Sequence, residues 1–359
     1  MHMPKRTYET TAQALRHVPE DLARIRIKCP NPECATSFPP DWLKKIPPIH
    51  PVRPDVGPGV WVPTAQKVEC PYCKKSLMFP LPVEEEKAEY SLFGDEAYRS
   101  TYRSIDDLEL LTYSLVGTNS VRLAEVEEAV RGFKAELCPS KSPDSWHLHM
   151  KEIWPEHARH RHPIFKDWDQ DFVKDFASRF FALVRNFDEA FVVNNITAIY
   201  HKSKGNKQRK IEKREVRQQA YSLLLLKIIG DCTKVGIKPL FIFDSEKDSE
   251  ADRVIHGWAR DAFHGSRINL LFGYLARGIE IPEPVFVSPA SRPCLEVADF
   301  VSYVIARYCY RRIRGQSIDL DPKHLGPVVY LGFDSSGALL FSRSAGYPWR
   351  LFYGNADNT

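Results

Sequence analysis

Three aspartates stand at the ends of apolar segments that lie far apart in the chain: Asp95 in "YSLFGDEA", Asp244 in "KPLFIFDS" and Asp299 in "CLEVADFVSYVIAR". Taken singly, each has an ordinary explanation. A strand-end aspartate caps the following turn, and an acid in the first turn of a helix complements its dipole. Gathered at one place they would repel, and Mg²⁺ or Mn²⁺, which prefer carboxylate oxygen, remove that repulsion. Two such ions, about 3.5 to 4 Å apart and bridged by acids from different elements, activate a water and stabilise the leaving oxygen in phosphodiester cleavage. Glu96, beside Asp95, and Glu296, one turn before Asp299, are additional candidate ligands.

The segment "HLHMKEIW" carries His147, His149, Lys151 and Glu152. Alternation puts His147, His149 and Lys151 on one face and Glu152 on the other. A lysine beside metal-bound acids neutralises developing phosphate charge, while a solvated strand face is the plain alternative. Downstream, "EHARHRHP" adds His157, His160 and His162, which could form a second metal site, although their spacing fits no common ligand motif and favours a polar loop.

Four of the eight cysteines form two close pairs, Cys29 with Cys34 in "CPNPEC" and Cys70 with Cys73 in "CPYC". Two tight turns that each offer two thiolates suit structural Zn²⁺, with a disulfide or unrelated surface thiols as the alternative. The loop between the pairs is long and proline-rich, so it is no compact finger. Cys138, Cys232, Cys294 and Cys309 stand alone and read as core residues.

Positioning these groups requires a scaffold, and 359 residues with 43% hydrophobic content can bury one. The chain lacks an apolar run long enough to span a bilayer and a signal-type N-terminus, so a cytoplasmic protein without membrane contact is expected. Residues 1–86 are expected to be a zinc-ribbon-like module with a proline-rich loop. Residues 87–359 are expected to be an α/β domain in which helices flank a mixed sheet. Strands are expected over 88–97, 108–118, 146–153 and 189–200, at "KPLFIFDS" and near "PVFVSP". Helices are expected over 120–137 with a Ser120 cap, over 171–187, over about 211–236, around 252–264 and over the segment containing Asp299. "GPVVYLGFDSSGALLFSRS" reads as a closing β-hairpin.

A net charge of +4 is mild for this length, so any nucleic-acid surface must be regional. "HKSKGNKQRKIEKR" holds seven Lys or Arg, among them Lys204, Lys207, Arg209 and Lys210. "ARYCYRRIRG" places Arg307, Arg311, Arg312 and Arg314 among tyrosines on the helix of Asp299. Either can follow a phosphate backbone, and either can be a solvated charge run.

The succession "SLFGDE", "LHMKEI", "FIFDSE" and "SRPCLEVADFVSYVIARY" resembles the family known as domain of unknown function 3800, over roughly residues 88–312. The resemblance implies a ribonuclease-H-like fold and a bacterial setting in mobile elements or anti-phage defence. It places Asp95, Glu152, Asp244 and Asp299 at the positions of the family's metal-binding acids. Ala97-Tyr98 replaces the family's usual Ser-Gly, and Glu296 stands where the family commonly has Gln. The expectation is therefore a Mg²⁺- or Mn²⁺-dependent nuclease whose zinc module orients substrate or a protein partner. The alternative is a non-catalytic nucleic-acid-binding, sensor or assembly protein that keeps a degenerate site.

Overall fold

The computed structural model describes residues 24–42, 65–100, 108–186, 191–201, 220–221, 224–244, 270–288, 291–325, 328–333 and 339–343. The chain divides into two units. One is Met1–Ala88 with Leu225–Pro239 and Asp261–Pro282, and the other is Glu89–Leu224 with Leu240–Arg260 and Glu283–Thr359. The first unit thus takes in two stretches from beyond the expected 1–86 module.

Proline and cysteine punctuate the first unit so densely that its strands stay short. β1 (Ile27–Lys28) pairs with β2 (Ser37–Phe38), and β3 (Ala65–Glu69) with β4 (Ser76–Pro80), as two separate antiparallel hairpins. Their inward residues Ile27, Phe38, Val68 and Phe79 pack with Trp42 and with Leu270 and Leu271 of the short helix Leu270–Ala276. Trp42 sits edge-on to both Phe79 and Tyr274. Residues 224–233 are helical, the described end of the expected helix over 211–236. Gly236 (φ +78) turns the chain into the next strand, and a Cβ there would meet the Glu85 carbonyl at 2.6 Å. The helix expected around 252–264 lies outside the described residues.

In the second unit, β5 (Ala88–Ser100), β6 (Leu108–Asn119) and β7 (Phe191–His201) form an antiparallel meander. Beyond β5 stand β8 (Ile237–Asp244) and β9 (Val285–Val287), parallel to each other. Beyond β7 lie β10 (Val328–Phe333), parallel to β7, and β11 (Leu339–Arg343), which completes the expected hairpin. The order across the seven strands is β11-β10-β7-β6-β5-β8-β9. Residues 109–118 of β6 are buried on both faces, which is why that strand reads as a nearly continuous apolar run.

Helices α1 (Leu123–Leu137), α4 (Gln170–Asn186) and α5 (Cys294–Ile313) build the core on one face of this sheet, with the short helices α2 (Met150–Ile153) and α3 (Glu156–Arg159) between α1 and α4 in the chain. In α4, Val173, Phe176, Ala177, Phe180, Phe181 and Val184 follow the helical period and are all buried. Phe180 and Phe181 meet Phe300 of α5 edge-on, and each such fully buried ring contributes about 1.5 to 3 kcal/mol. α5 is buried almost all round from Cys294 to Ala306. Its core includes Phe93, Leu110 and Val116 of the sheet, so odd residues of β5 and even residues of β6 face α5.

Two local expectations are corrected. Ser120 caps no helix: α1 begins at Leu123 with Arg122 at its N-cap, and the Ser120 hydroxyl donates to the Glu89 carbonyl at 3.0 Å. The segment "WHLHMKEI" forms no strand. Trp146, Leu148 and Met150 do alternate inward, but Met150–Ile153 is a helical turn. The amides of Leu148 and Met150 go to carboxylates of α5.

Candidate functional site

The pleat of two strands aims the aspartates. Phe243 packs over Gly94, where a Cβ would meet the Phe243 ring at 2.3 Å, so the absent side chain at position 94 lets the strands settle together. Phe243 and Gly94 share the sheet face away from α5, so alternation turns Asp244 and Asp95 toward α5. Ile242, on the same side as Asp244, packs against the α5 core. Asp299 lies on α5 itself. Ser302, one turn later, donates to Asp95 Oδ2 at 2.7 Å and to the Asp299 carbonyl at 3.1 Å. The structure thus brings the three sequence-distant aspartates to one side of the sheet. Glu96 points to the opposite face, where Tyr113 Oη donates to its Oε2 at 2.6 Å.

Glu296 has another job. Both its oxygens are committed to protein donors: Lys134 Nζ lies 2.6 Å from Oε1, and the Leu148 amide donates to Oε2 at 3.0 Å. Lys134 also donates to the Trp146 carbonyl. One turn on, Asp299 Oδ2 accepts the Met150 amide at 2.7 Å. Two acids three residues apart on the helix therefore receive two amides two residues apart in the extended segment, docking that segment along α5.

Docking fixes what the segment carries. His149 stands between two acids, Nε2 lying 3.6 Å from Asp299 Oδ1 and Nδ1 lying 3.8 Å from Glu152 Oε1. Glu152 therefore sits one imidazole away from Asp299, among histidines: His162 Nε2 is 3.4 Å from its Oε2. Ligand atoms of His147, His149 and Glu152 lie within 4.8 Å of one another. Lys151 is exposed, with its positive charge acting on Asp299. His157 is exposed and His160 Nε2 faces Glu156 at 3.4 Å, so neither joins the cluster. Of the three histidines of "EHARHRHP", only His162 reaches Glu152, and the parity of "HLH" was the hint of His147 and His149.

Burial and then the neighbouring Asp299 push the Asp95 carboxyl well above its usual range, against the Ser302 hydrogen bond. Burial lifts Asp299 to about 7, with Glu296 and Asp244 adding to the effect and the Met150 amide and Lys151 opposing it. Burial likewise lifts Glu296 to about 7 despite Lys134. Between the ordinary Asp value of 3.8 and about 7 the folded Asp299 holds a proton that the unfolded chain has released. Stability therefore falls as pH rises through that window. In buffer without added Mg²⁺ or Mn²⁺ the melting temperature is expected to drop by roughly 5 °C between about pH 5 and about pH 8, on the order of 2 kcal/mol. Mn²⁺ should restore most of the loss, and Asp299→Asn should flatten the profile. A wild-type profile that does not fall, followed by calorimetry, would mean that these carboxyls ionise without penalty.

The second cluster joins Cys29, Cys34, Cys70 and Cys73, whose sulfurs lie within 4.8 Å of one another, close enough to bind one metal ion such as zinc. Tetrahedral sulfur around Zn²⁺ at 2.3 Å implies Sγ···Sγ edges of about 3.8 Å. Cys29 to Cys73 is 3.5 Å and Cys34 to Cys70 is 3.8 Å. Each pair sits on a turn whose next residue, Ala35 or Lys74, takes a positive φ. In the first turn the Cys34 amide donates to the Asn31 carbonyl at 3.0 Å and the Asn31 amide points inward, donating to Cys29 Sγ at 3.5 Å. Burial pushes the Cys70 thiol up, but the Cys73 and Tyr72 amides and the neighbouring thiols bring it down to about 6. The donor set fits zinc. Of the remaining cysteines, Cys294 and Cys309 are buried, and Cys138 and Cys232 are half-buried.

Of the candidate nucleic-acid contacts, Lys204, Lys207, Arg209 and Lys210 lie outside the described residues. Arg311 donates to the Ser317 carbonyl at 2.6 Å and faces Asp319 at 3.4 Å, and Arg312 shares the last turn of α5. Among the described residues no helix is long and apolar enough to cross a membrane. Compared with known proteins, the chain matches no family model, no curated protein and no solved structure.

Proposed function

We propose that the protein is a divalent-metal-dependent nuclease built on a ribonuclease-H-like sheet, serving bacterial anti-phage defence or a mobile element. The observation that carries this reading is the placement of Asp95, Asp244 and Asp299, from three elements, on the α5 side of the sheet. Supporting the fold is the run β7-β6-β5-β8-β9 within the seven-strand sheet, an antiparallel meander whose first strand neighbours a parallel pair. Asp95, Asp244 and Asp299 would hold Mg²⁺ or Mn²⁺. When bound, such ions supply an activated water and stabilise the leaving oxygen.

The chain's own groups prepare that site. The Ser302 hydroxyl orients Asp95 and the Met150 amide orients Asp299. Burial raises the proton affinities of Asp95 and Asp299, and a bound cation would displace those protons. Lys151 supplies an exposed ammonium to a phosphate oxygen. The four-cysteine cluster takes structural Zn²⁺ and presents the first unit to substrate or a protein partner.

The test is cleavage of labelled DNA and RNA, single- and double-stranded, with Mg²⁺ or Mn²⁺. Asp95→Asn and Asp299→Asn are expected to lower the rate on the order of a thousandfold, which corresponds to about 4 kcal/mol. Wild-type and variant proteins that cut equally, or a wild type that binds nucleic acid and never cuts it, would overturn the enzymatic reading.

A further inference from the structure

We propose that His147, His149 and Glu152 form a separate site for a first-row transition-metal dication of the imidazole-accepting class, with Asp299 and His162 as its positioning residues. The metals assigned above are a structural zinc on sulfur and a hard cation on carboxylates. This third site is built of two imidazoles and one carboxylate, a donor set that favours Zn²⁺, Co²⁺ or Ni²⁺ over Mg²⁺ and Mn²⁺. It stands independently of the nuclease reading, because metal content is measured without substrate.

The tautomers support it. His149 presents one ring nitrogen to each acid, Nε2 to Asp299 Oδ1 at 3.6 Å and Nδ1 to Glu152 Oε1 at 3.8 Å, so an ion held between Nδ1 and Glu152 would leave the ring proton on Nε2, facing Asp299. A carboxylate behind a ligating imidazole orients the ring and raises its basicity. His162 cannot be a ligand in its present setting. Its Nδ1 accepts the Ile164 amide at 3.2 Å, which leaves the proton on Nε2, pointing at Glu152 Oε2 3.4 Å away. It holds one oxygen of Glu152 and thereby presents the other, Oε1, to the side of His149. Stacking on Phe165 at 4.0 Å locks the His162 ring in that role.

The cluster is prepared and reachable. Side chains of His149 and Glu152 are 26% and 39% exposed, which leaves an entry path for an ion and open positions on it. The backbone between them is fixed, since Leu148 and Met150 are both bound to α5.

The experiment uses the full chain, stripped and then titrated with Co²⁺ alone and Zn²⁺ alone, with metal content read by mass spectrometry. Co²⁺ on the four cysteines gives intense thiolate charge-transfer bands, and Co²⁺ on imidazole and carboxylate gives only weak visible bands. His147→Ala, an exposed position, is expected to remove one equivalent and leave the thiolate bands unchanged. His162→Phe, which keeps the ring stacking, is expected to weaken that equivalent about tenfold to hundredfold. Excess Mg²⁺ should not displace it. The proposal is overturned if the metal count ignores His147→Ala and falls instead with Asp95→Asn, or if equimolar Mg²⁺ displaces the ion.

Discussion

Removing the metal from the four cysteines is expected to dismantle the hairpins of the first unit. β1 and β2 pair over two residues each, and β3 and β4 over five. Isolated hairpins of this size are marginal in water. What joins them is the sulfur cluster and a small core around Trp42, Phe79 and Tyr274. Because the thiolates meet only when the hairpins are formed, the free energy of zinc binding is also folding free energy, about 10 to 16 kcal/mol in small zinc domains. Cys70→Ser, or treatment of the wild type with a strong chelator, should therefore expose the amides of Cys29, Cys34, Cys70 and Lys74, which now bond within their turns. Hydrogen exchange should rise by at least about a thousandfold at these four positions, while β6 amides stay protected. If the four amides stay equally protected in the chelator, metal does not hold this unit.

Much of this architecture is legible in the residues, and the parts that are not share a physical cause. The α4 face repeats every three and four residues for about three turns, and β6 offers an apolar run too short for a helix between turn signals. Such local patterns announce themselves. The strand-like alternation of "WHLHMKEI" is equally genuine, yet alternation records only which side chains turn inward and not where the amides go. Here they go to side chains of α5, because Glu296 and Asp299 offer acceptors at the right pitch. Likewise the sequence of 224–233 and 270–276 shows apolar helix faces without saying which core will receive them, and Leu270 and Leu271 join the first unit. Asp95 and Asp299 could be nominated because they interrupt apolar elements. His162 could not, since its significance lies in a hydrogen-bonded tautomer that only the folded loop creates.

Lys134→Met is expected to cost roughly 3 to 5 kcal/mol, lowering the melting temperature by about 10 °C, because it strands a buried carboxylate. Lys134 is 1% exposed and Glu296 2% exposed, and their partners lie 162 residues apart in sequence. Without the ammonium, Glu296 retains only the Leu148 amide and takes up a proton, so the loss should be smaller at low pH and grow as pH rises past about 7. Glu296→Gln in the wild-type background strands the lysine instead and should also destabilise. The combination Lys134→Met with Glu296→Gln removes both charges, keeps an acceptor for Leu148, and is expected to regain more than half of the loss. That pairing accounts for a buried acid at position 296: a buried lysine stands opposite it. The same ion pair holds Trp146 and Leu148 against α5, so Lys134→Met should also weaken Co²⁺ binding at His147, His149 and Glu152 while leaving the thiolate bands intact. Additive losses in the double variant, or unchanged Co²⁺ affinity in Lys134→Met, would show that the pair neither couples nor positions the segment.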